Sequence, residues 1–355
     1  MAGYVLRRLL LIIPTLLGIL LINFAIVQFA PGGPVDQIIS EVTGAATSTT
    51  AGVSGEGAAS GGGYPGSTGL DPEFVAELQR QYGFDKPAHE RFLHMMGSYV
   101  RLDLGTSYFQ DRPVLELIAE RMPVSISLGL WSMLLIYMVS IPLGIAKSVR
   151  DGSRFDLATS AVIFVGYAVP GFLFALLLIV LFAGGSFFSW FPLHGLTSEG
   201  FAELSTFEKV KDYLWHLALP LTALTVGGFA TLTMLTKNSF LEELHKQFVL
   251  TARAKGLSER RVLYGHVFRN AMLIVLAGLP GAFVGILFTG ALLIEVIFSL
   301  DGMGLLGYEA VVKRDYPILF GTLFCYTLIS LVMHLAGDLC YVLIDPRIDF
   351  DTRDT

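Results

Sequence analysis

Residues 250–256 read Leu-Thr-Ala-Arg-Ala-Lys-Gly and lie at the centre of a basic segment, residues 237–271, between two long apolar stretches. Apolar side chains recur every fourth residue through its first half, at Phe240, Leu244, Phe248 and Ala252. This spacing predicts a helix with one apolar ridge. Gly256 suits the left-handed turn that ends a helix, and Ser258 suits the N-cap of a second helix. The segment is therefore predicted to form a helix, a glycine turn and a helix.

Small residues gather at that turn, at Ala252, Ala254 and Gly256. They would let the surface of a partner protein approach closely, which favours a rigid plug inserted into a cleft of another protein. The alternative is an amphipathic helix lying on anionic lipid. A lipid anchor would place Trp or Phe at the turn instead of small residues.

The composition of the whole chain indicates a membrane protein. Apolar residues make up 53% of the 355 residues and charged residues only 15%, against about 25% charged in soluble domains. An apolar helix needs about 20 residues to cross the hydrocarbon layer. Six runs qualify as spans, and all Lys and Arg residues lie outside them: Leu9–Ala30, Val124–Ala146, Leu157–Ala183, Leu214–Thr236, Met272–Phe298 and Ile318–Ile344.

The distribution of basic residues predicts the orientation of these spans. With a cytoplasmic N-terminus, the inside segments hold 14 Lys and Arg in 64 positions, and the outside segments hold 10 in 142. Basic loops remain in the cytoplasm, so both termini are expected there. The chain then divides into an N-terminal span (1–30), an outer segment (31–123), a five-span core (124–344) and a cytoplasmic tail (345–355).

The outer segment is not uniform. Residues 44–69 include nine glycines and many Ser, Thr and Ala residues, which is typical of a flexible insert. Two short amphipathic helices are expected after it, one ending at Gly83 and one with Phe92, Met95, Met96 and Tyr99 on one side. Burial against the outer ends of the spans is the simpler interpretation of such faces. A docking surface for a soluble partner is the alternative.

Two acidic side chains fall inside the predicted spans, Glu295 and Asp338, and His334 lies one turn before Asp338 on the same helical face. Such groups are costly in lipid and often mark an ion or substrate path. They define the alternative function, a proton-coupled secondary transporter. Since Glu295 and Asp338 lie near the ends of their spans, they would equally well reach interfacial water or cap a neighbouring helix. Five spans also carry one proline each, which is consistent with helices that bend around a pathway.

Several classes of function are excluded or disfavoured by what the sequence lacks. It has no G-x-x-x-x-G-K-[ST] phosphate loop, no H-E-x-x-H and no G-x-S-x-G motif, so no catalytic, cofactor or metal site is expected. Two cysteines exclude a disulfide scaffold. The net charge of −6 disfavours a nucleic-acid partner. A membrane-anchored scaffold without transport activity remains a third possibility.

The segment around residues 250–256 resembles the coupling loop of binding-protein-dependent ABC importer permeases. In that family a Glu-Ala-Ala motif, followed by a glycine, docks into the ATPase. Ala252 and Gly256 match this motif, whereas Leu250 and Thr251 replace its Glu-Ala. Arg269-Asn270 stand where many members have Leu-Pro, as is usual in the dipeptide/oligopeptide branch. Further matches lie at Ala30–Pro34, Gly302–Gly304, Arg314–Pro317 and Asp345–Arg347, and the outer segment looks most like that of the Yej-type members.

This resemblance implies an all-α, MetI-like type I importer domain of six transmembrane helices with an enlarged periplasmic segment after the first helix. It implies a bacterial inner-membrane permease that takes up peptides, including peptide-nucleotide antibiotics such as microcin C. Expected partners are a second permease subunit, a cytoplasmic ATPase of two domains, fused or separate, that uses ATP and Mg²⁺, and a periplasmic peptide-binding protein. The ATPase contact is assigned to Phe248, Thr251, Ala252, Arg253, Ala254, Lys255, Gly256 and Ser258.

Overall fold

The computed structural model describes residues 2–29, 34, 77, 80, 83–185, 187–288 and 292–344. The regular secondary structure of these residues is helical, apart from one isolated antiparallel bridge between Thr106 and Pro113. The α-helices are α1 (Ala2–Phe29), α2 (Ala88–Val100), α3 (Val114–Val149), α4 (Arg154–Ala168), α5 (Gly171–Phe182), α6 (Thr206–Leu244), α7 (Gln247–Ala254), α8 (Glu259–Val262), α9 (Phe268–Ala277), α10 (Leu279–Phe288), α11 (Leu292–Ile297), α12 (Met303–Lys313) and α13 (Tyr316–Ile344). A 3₁₀ turn covers Phe201–Glu203, and a π-helical turn, Leu263–Val267, joins α8 to α9.

Five helical stretches in the described residues are long and apolar enough to cross a membrane, and there are six if the bent pair α4–α5 counts as one span. The predicted multi-pass helical architecture is thus confirmed. The span predicted over residues 157–183 is sharply bent, because α4 and α5 meet at an angle of 93°. Pro170 lies between them and cannot donate to the helical ladder, and the residue before it, Val169, is extended.

The span predicted over residues 214–236 is longer than the apolar run. Helix α6 begins after Ser205, which forms a capping box with Glu208. It then continues through the polar residues from Lys237 to Leu244, so the first part of segment 237–271 is a direct extension of a span.

The start of the span predicted at residues 272–298 lies within a longer helical stretch. This stretch runs from Glu259 to Gly285 through α8, the π-helical turn, α9 and α10. A second helix was expected to run from Ser258 to Asn270, but the helical backbone continues well beyond it, to Ala277.

The described residues separate into two compact units. Unit 1 comprises Met1–Leu10, Arg121–Leu305 and Leu328–Thr355, and unit 2 comprises Leu11–Glu120 and Leu306–Thr327. In unit 2, Phe92 of α2 packs against Phe24, and Tyr99 packs against Phe324. Tyr99 is buried, and Phe92, Met95 and Met96 are half-buried, so this face of α2 packs on the spans, as the simpler interpretation expects.

Gly83 has φ +71°, as expected for a helix stop. Glu77 and Arg80 are helical, and the rest of the helix predicted before Gly83 lies outside the described residues. The glycine-rich insert, residues 44–69, and the C-terminal tail, residues 345–355, lie outside them too.

Unit 1 contains two apolar clusters, one at each end of α6. The first includes Leu217, Leu221 and Phe298. The second includes Phe240, Val249 and other buried residues up to Val275. The second cluster holds segment 237–271 against the base of the spans, so that the segment has a packed core of its own.

Candidate functional site

The first helix of segment 237–271 is interrupted. Helix α6 ends at Leu244, Lys246 takes an extended conformation with ψ 152°, and α7 starts at Gln247. The predicted unbroken ridge from Phe240 to Ala252 is therefore wrong as a single helix. Its four residues nevertheless pack into one cluster, so the four-residue spacing identified the buried face correctly.

Gly256 ends α7 as predicted. Its φ is +78°, a conformation that costs other residues about 1–2 kcal/mol. The Gly256 amide donates to the Arg253 carbonyl (2.9 Å), and the Leu257 amide donates to the Ala252 carbonyl (3.3 Å). These two bonds make up a Schellman motif. The turn is thus built by the backbone and needs no side chain.

Ser258 takes the N-cap position of α8, with extended angles, and its carbonyl accepts from the Arg261 amide at 2.8 Å. The expected side-chain cap is absent, since the Ser258 hydroxyl accepts no amide of the first turn. A bidentate ion pair crosses the turn instead. Arg253 Nε and Nη2 each lie 2.9 Å from a Glu259 carboxylate oxygen, and this pair joins α7 to α8.

The small residues at the turn differ in exposure. Ala252 is only 6% exposed and packs inside the second apolar cluster. Ala252 therefore contributes to the core of the segment, because the ridge turns it inward. Ala254 and Gly256 are exposed, and Lys255 between them is exposed as well. Of the three small residues at the turn, Ala254 and Gly256 thus lie at the surface.

The remaining predicted contact residues border this surface. Phe248 is half-buried in the cluster, and Thr251 is exposed, with its hydroxyl donating to the Gln247 carbonyl at 3.1 Å. Lys246 lies 2.5 Å from the Glu243 carboxylate. That hydrogen bond raises the pKa of Lys246 above its ordinary value.

A buried charge network, formed by Lys147, Asp151, Asp156 and Lys237, lies at the start of segment 237–271. The Asp156 carboxylate is 2.8 Å from Lys147 Nζ and 2.7 Å from Lys237 Nζ. Lys237 also bonds to Asp151 at 2.7 Å. The network connects α3, α4 and α6 to one another, so the segment is fixed to two further helices.

Lys147 is fully buried, and its ammonium also bonds to the Asp156 carbonyl, Thr159 and Ser160 at 2.8–2.9 Å. Lys237 is only 8% exposed, and its charge is paired inside the network. Nothing in the sequence predicted this network. Its residues are far apart in the chain, and the only local signal is that Lys147 and Asp156 flank a short loop.

Glu295 is fully buried, and its carboxylate lies at the N-terminus of α12. It accepts from the Leu305 amide (2.7 Å) and from the Ser125 hydroxyl (3.2 Å), while Ser125 Oγ accepts from the Met303 amide (2.8 Å). A carboxylate at a helix N-terminus satisfies free amides and is favoured by the helix dipole. Glu295 therefore caps a neighbouring helix, which was one of the two interpretations open from the sequence.

Asp338 has different partners. It accepts from the Tyr4 hydroxyl at 2.8 Å and forms an ion pair with Arg8 at 3.2 Å. His334 is exposed on α13. Within the described residues no hydrogen bond or ion pair joins Glu295, His334 and Asp338, so the geometry gives no support to a proton relay through these groups.

Comparison with known proteins places this architecture among transporters. A family model described as "Binding-protein-dependent transport system inner membrane component" matches residues 140–350. The chain is 58% identical to the peptidoglycan transport system permease protein YejB of Agrobacterium fabrum, with 100% of both chains covered. It is 57% identical to the inner membrane ABC transporter permease protein YejB of Escherichia coli O157:H7, over 99% of this chain and 100% of that protein.

More distant similarity extends to other peptide permeases and to one solved structure. The oligopeptide transport system permease protein AppB of Bacillus subtilis is 32% identical over 99% of this chain and 100% of its own length. An inward-facing structure of the MetNI methionine ABC transporter aligns with a TM-score of 0.49 and 14% identity, over 65% of this chain and 97% of the other.

Proposed function

The chain belongs to the family of binding-protein-dependent transport system inner membrane components and is a permease subunit of a peptide ABC importer, and we propose that segment 237–271 couples it to the ATPase. The observation that carries this proposal is the exposed surface of residues 254–256. It is displayed on a packed core and held by the Schellman turn at Gly256.

The rigid connection of this segment to the spans supports the proposal. Helix α6 is continuous from Thr206 to Leu244, so displacement of its cytoplasmic end also displaces the buried part of the helix. The buried charge network attaches the same helix to α3 and α4. Closure of the ATPase against residues 254–256 would therefore move three helices together.

The proposal also covers the partners, the orientation and the substrates of the permease. The permease pairs with a second permease subunit as a heterodimer, and a periplasmic protein delivers the peptide. ATP and Mg²⁺ are bound by the partner ATPase, so this chain is a non-catalytic subunit. Both termini lie in the cytoplasm, which the excess of basic residues in the inside segments supports. The substrates include peptide-nucleotide antibiotics such as microcin C, in keeping with the similarity to the YejB permeases.

Replacing Ala254 with tryptophan tests the coupling surface. Ala254 is exposed and ends an ordinary helix, so Ala254→Trp leaves the fold intact while blocking close approach of the ATPase. We expect loss of ATP-dependent peptide uptake at an unchanged level of membrane-inserted protein, and less ATPase recovered when the permease is purified. Ala254→Ser, which keeps the surface small, is the matched control. Uptake at the wild-type rate by Ala254→Trp would refute the proposal.

A further inference from the structure

The bent pair α4–α5 exposes irregular backbone within an apolar helix pair. Helix α4 ends at Ala168, Val169 has φ −87° and ψ 119°, and Pro170 has φ −55° and ψ 132°. Both residues between the helices are therefore extended. A bend of 93° is far larger than the kink of a proline within a continuous helix, and it separates the hydrogen-bond ladders of α4 and α5.

This break lies at membrane depth. Helix α4 has 15 residues and α5 has 12, which at 1.5 Å per residue gives lengths of about 22 and 18 Å, each less than the hydrocarbon thickness of about 30 Å. The outward-facing residues next to the break are apolar, for example Val162 and Val165, which are 74% and 69% exposed. The flanking surface therefore belongs in the apolar layer, and the break belongs there with it.

The break leaves backbone polar groups without helical partners. The last carbonyls of a helix and the first amides of the next one have no intrahelical bond, and Pro170 carries no amide hydrogen. No side chain in the described residues caps the start of α5. Tyr167 is 59% exposed, and every residue from Ala168 to Gly171 is exposed. Lipid cannot satisfy such groups, and irregular backbone is tolerated at this depth only where protein buries it or water reaches it.

One side of the break is fixed against α6. A Cβ on Gly166 would lie 3.0 Å from Val226 Cγ1, and a Cβ on Gly171 would lie 3.3 Å from the Ala223 carbonyl oxygen. These two glycines let α4 and α5 approach α6 closely on either side of the break. The opposite side, with Tyr167 and Val169, remains open.

We propose that the open side of the break, residues 167–171, lines the water-filled translocation pathway. This rests on the proposed function, since a pathway exists only in a transporter. Water satisfies the free carbonyl and amide groups between substrates. During passage the same groups can pair with the main-chain amides of a peptide, which every peptide carries whatever its side chains. Because α4 and α5 pack against α6, and α6 leads into the segment that carries residues 254–256, α6 lies between the pathway wall and the ATPase contact.

Cysteine accessibility in the assembled importer tests this placement. Cys325 and Cys340 are replaced by serine, and single cysteines are introduced as Tyr167→Cys and Val169→Cys. Open membrane fragments are treated with a charged, membrane-impermeant thiol reagent. Lys255→Cys is the water-exposed control, and Ile22→Cys, exposed on the apolar surface of α1, is the lipid control. Only thiolate in water reacts, so the two break positions are expected to react at a rate close to that of Lys255→Cys and at least about ten-fold faster than Ile22→Cys.

The outcomes distinguish this inference from the function on which it rests. Uptake is measured in each single-cysteine importer before and after modification, and modification at position 169 is expected to abolish it. If uptake is normal but both break positions are as unreactive as Ile22→Cys, the inference is overturned and the proposed function stands. Disulfide cross-linking of position 169 to the second permease subunit would also overturn it. Absence of ATP-dependent uptake in the unmodified parent would instead overturn the proposed function.

Discussion

At the scale of single residues, the Gly302-Met303-Gly304 motif is explained by the Glu295 carboxylate. The carboxylate occupies the space in which a side chain at Gly302 would lie, and a Cβ on Gly304 would approach Glu295 Oε2 to 3.0 Å. The glycines thus allow a buried acid to reach the free amides of α12. The sequence alone allows either a functional or a structural role for Glu295, and in the structure Glu295 caps α12.

Gly302→Ala is expected to destabilise the protein, because the new methyl group collides with a carboxylate fixed by Ser125 and Leu305. Overpacking of this kind costs about 1–3 kcal/mol. Gly307→Ala is the matched control, since a Cβ there meets nothing within 4 Å and alanine favours the helix. Thermal unfolding in detergent measures both variants. A melting temperature of Gly302→Ala equal to that of Gly307→Ala would contradict the explanation.

At the scale of elements, proline position alone did not show where a helix breaks. Pro14, Pro142 and Pro220 lie inside continuous helices, while Pro170 separates two helices at 93°. The break at Pro170 is flanked by close packing on α6, since a Cβ on Gly166 or Gly171 would lie within 3.3 Å of that helix. The prolines in the sequence therefore predict several bends, and only the packed structure shows that the bend at Pro170 is a complete break.

Segment 237–271 shows the same division between local and tertiary information. The apolar ridge, the Gly256 turn and the start of α8 at Ser258 were predictable, because each depends on residues close in sequence. The inward orientation of Ala252 and the pairing of Lys237 were not, since they depend on α9 and on α4. A basic residue in a polar segment is exposed by default, and only the fold reveals the buried aspartate that pairs with it.

The buried charge network is expected to hold α3, α4 and α6 together, and Asp156→Asn tests it. The substitution leaves the fully buried Lys147 without a counter-charge and Lys237 with Asp151 alone, and loss of one partner of a buried ion pair costs about 3–5 kcal/mol. Asp151→Asn is the control. Asp151 is 53% exposed, so its loss is expected to cost less, about 1 kcal/mol or below. Thermal unfolding of the purified importer ranks the two variants, and equal melting temperatures would show that burial of Asp156 contributes nothing.

At the scale of the whole molecule, the low charge content predicted a membrane protein, and the positions of the charges predicted which loops lie inside. The number of spans was close to that of the structure, whose described residues contain five candidate spans, or six with the bent pair. The helices extend beyond the predicted spans, because α6 continues past its apolar run and the next helical stretch already begins at Glu259. The capping box at Ser205 and the packing in the second apolar cluster determine where these helices begin and end. A hydropathy pattern contains no information on either.

Orientation is the prediction that belongs to this scale, because it follows from all the loops together. The inside segments hold 14 basic residues in 64 positions and the outside segments 10 in 142, so both termini are expected in the cytoplasm. A green fluorescent protein fused after Thr355 should fluoresce, and alkaline phosphatase inserted within residues 44–69 should be active, since each reporter works on one side only. Exchanging the two reporters provides the control and should silence both. An active phosphatase after Thr355 would reverse the assignment and place residues 254–256 on the side of the membrane opposite the ATPase.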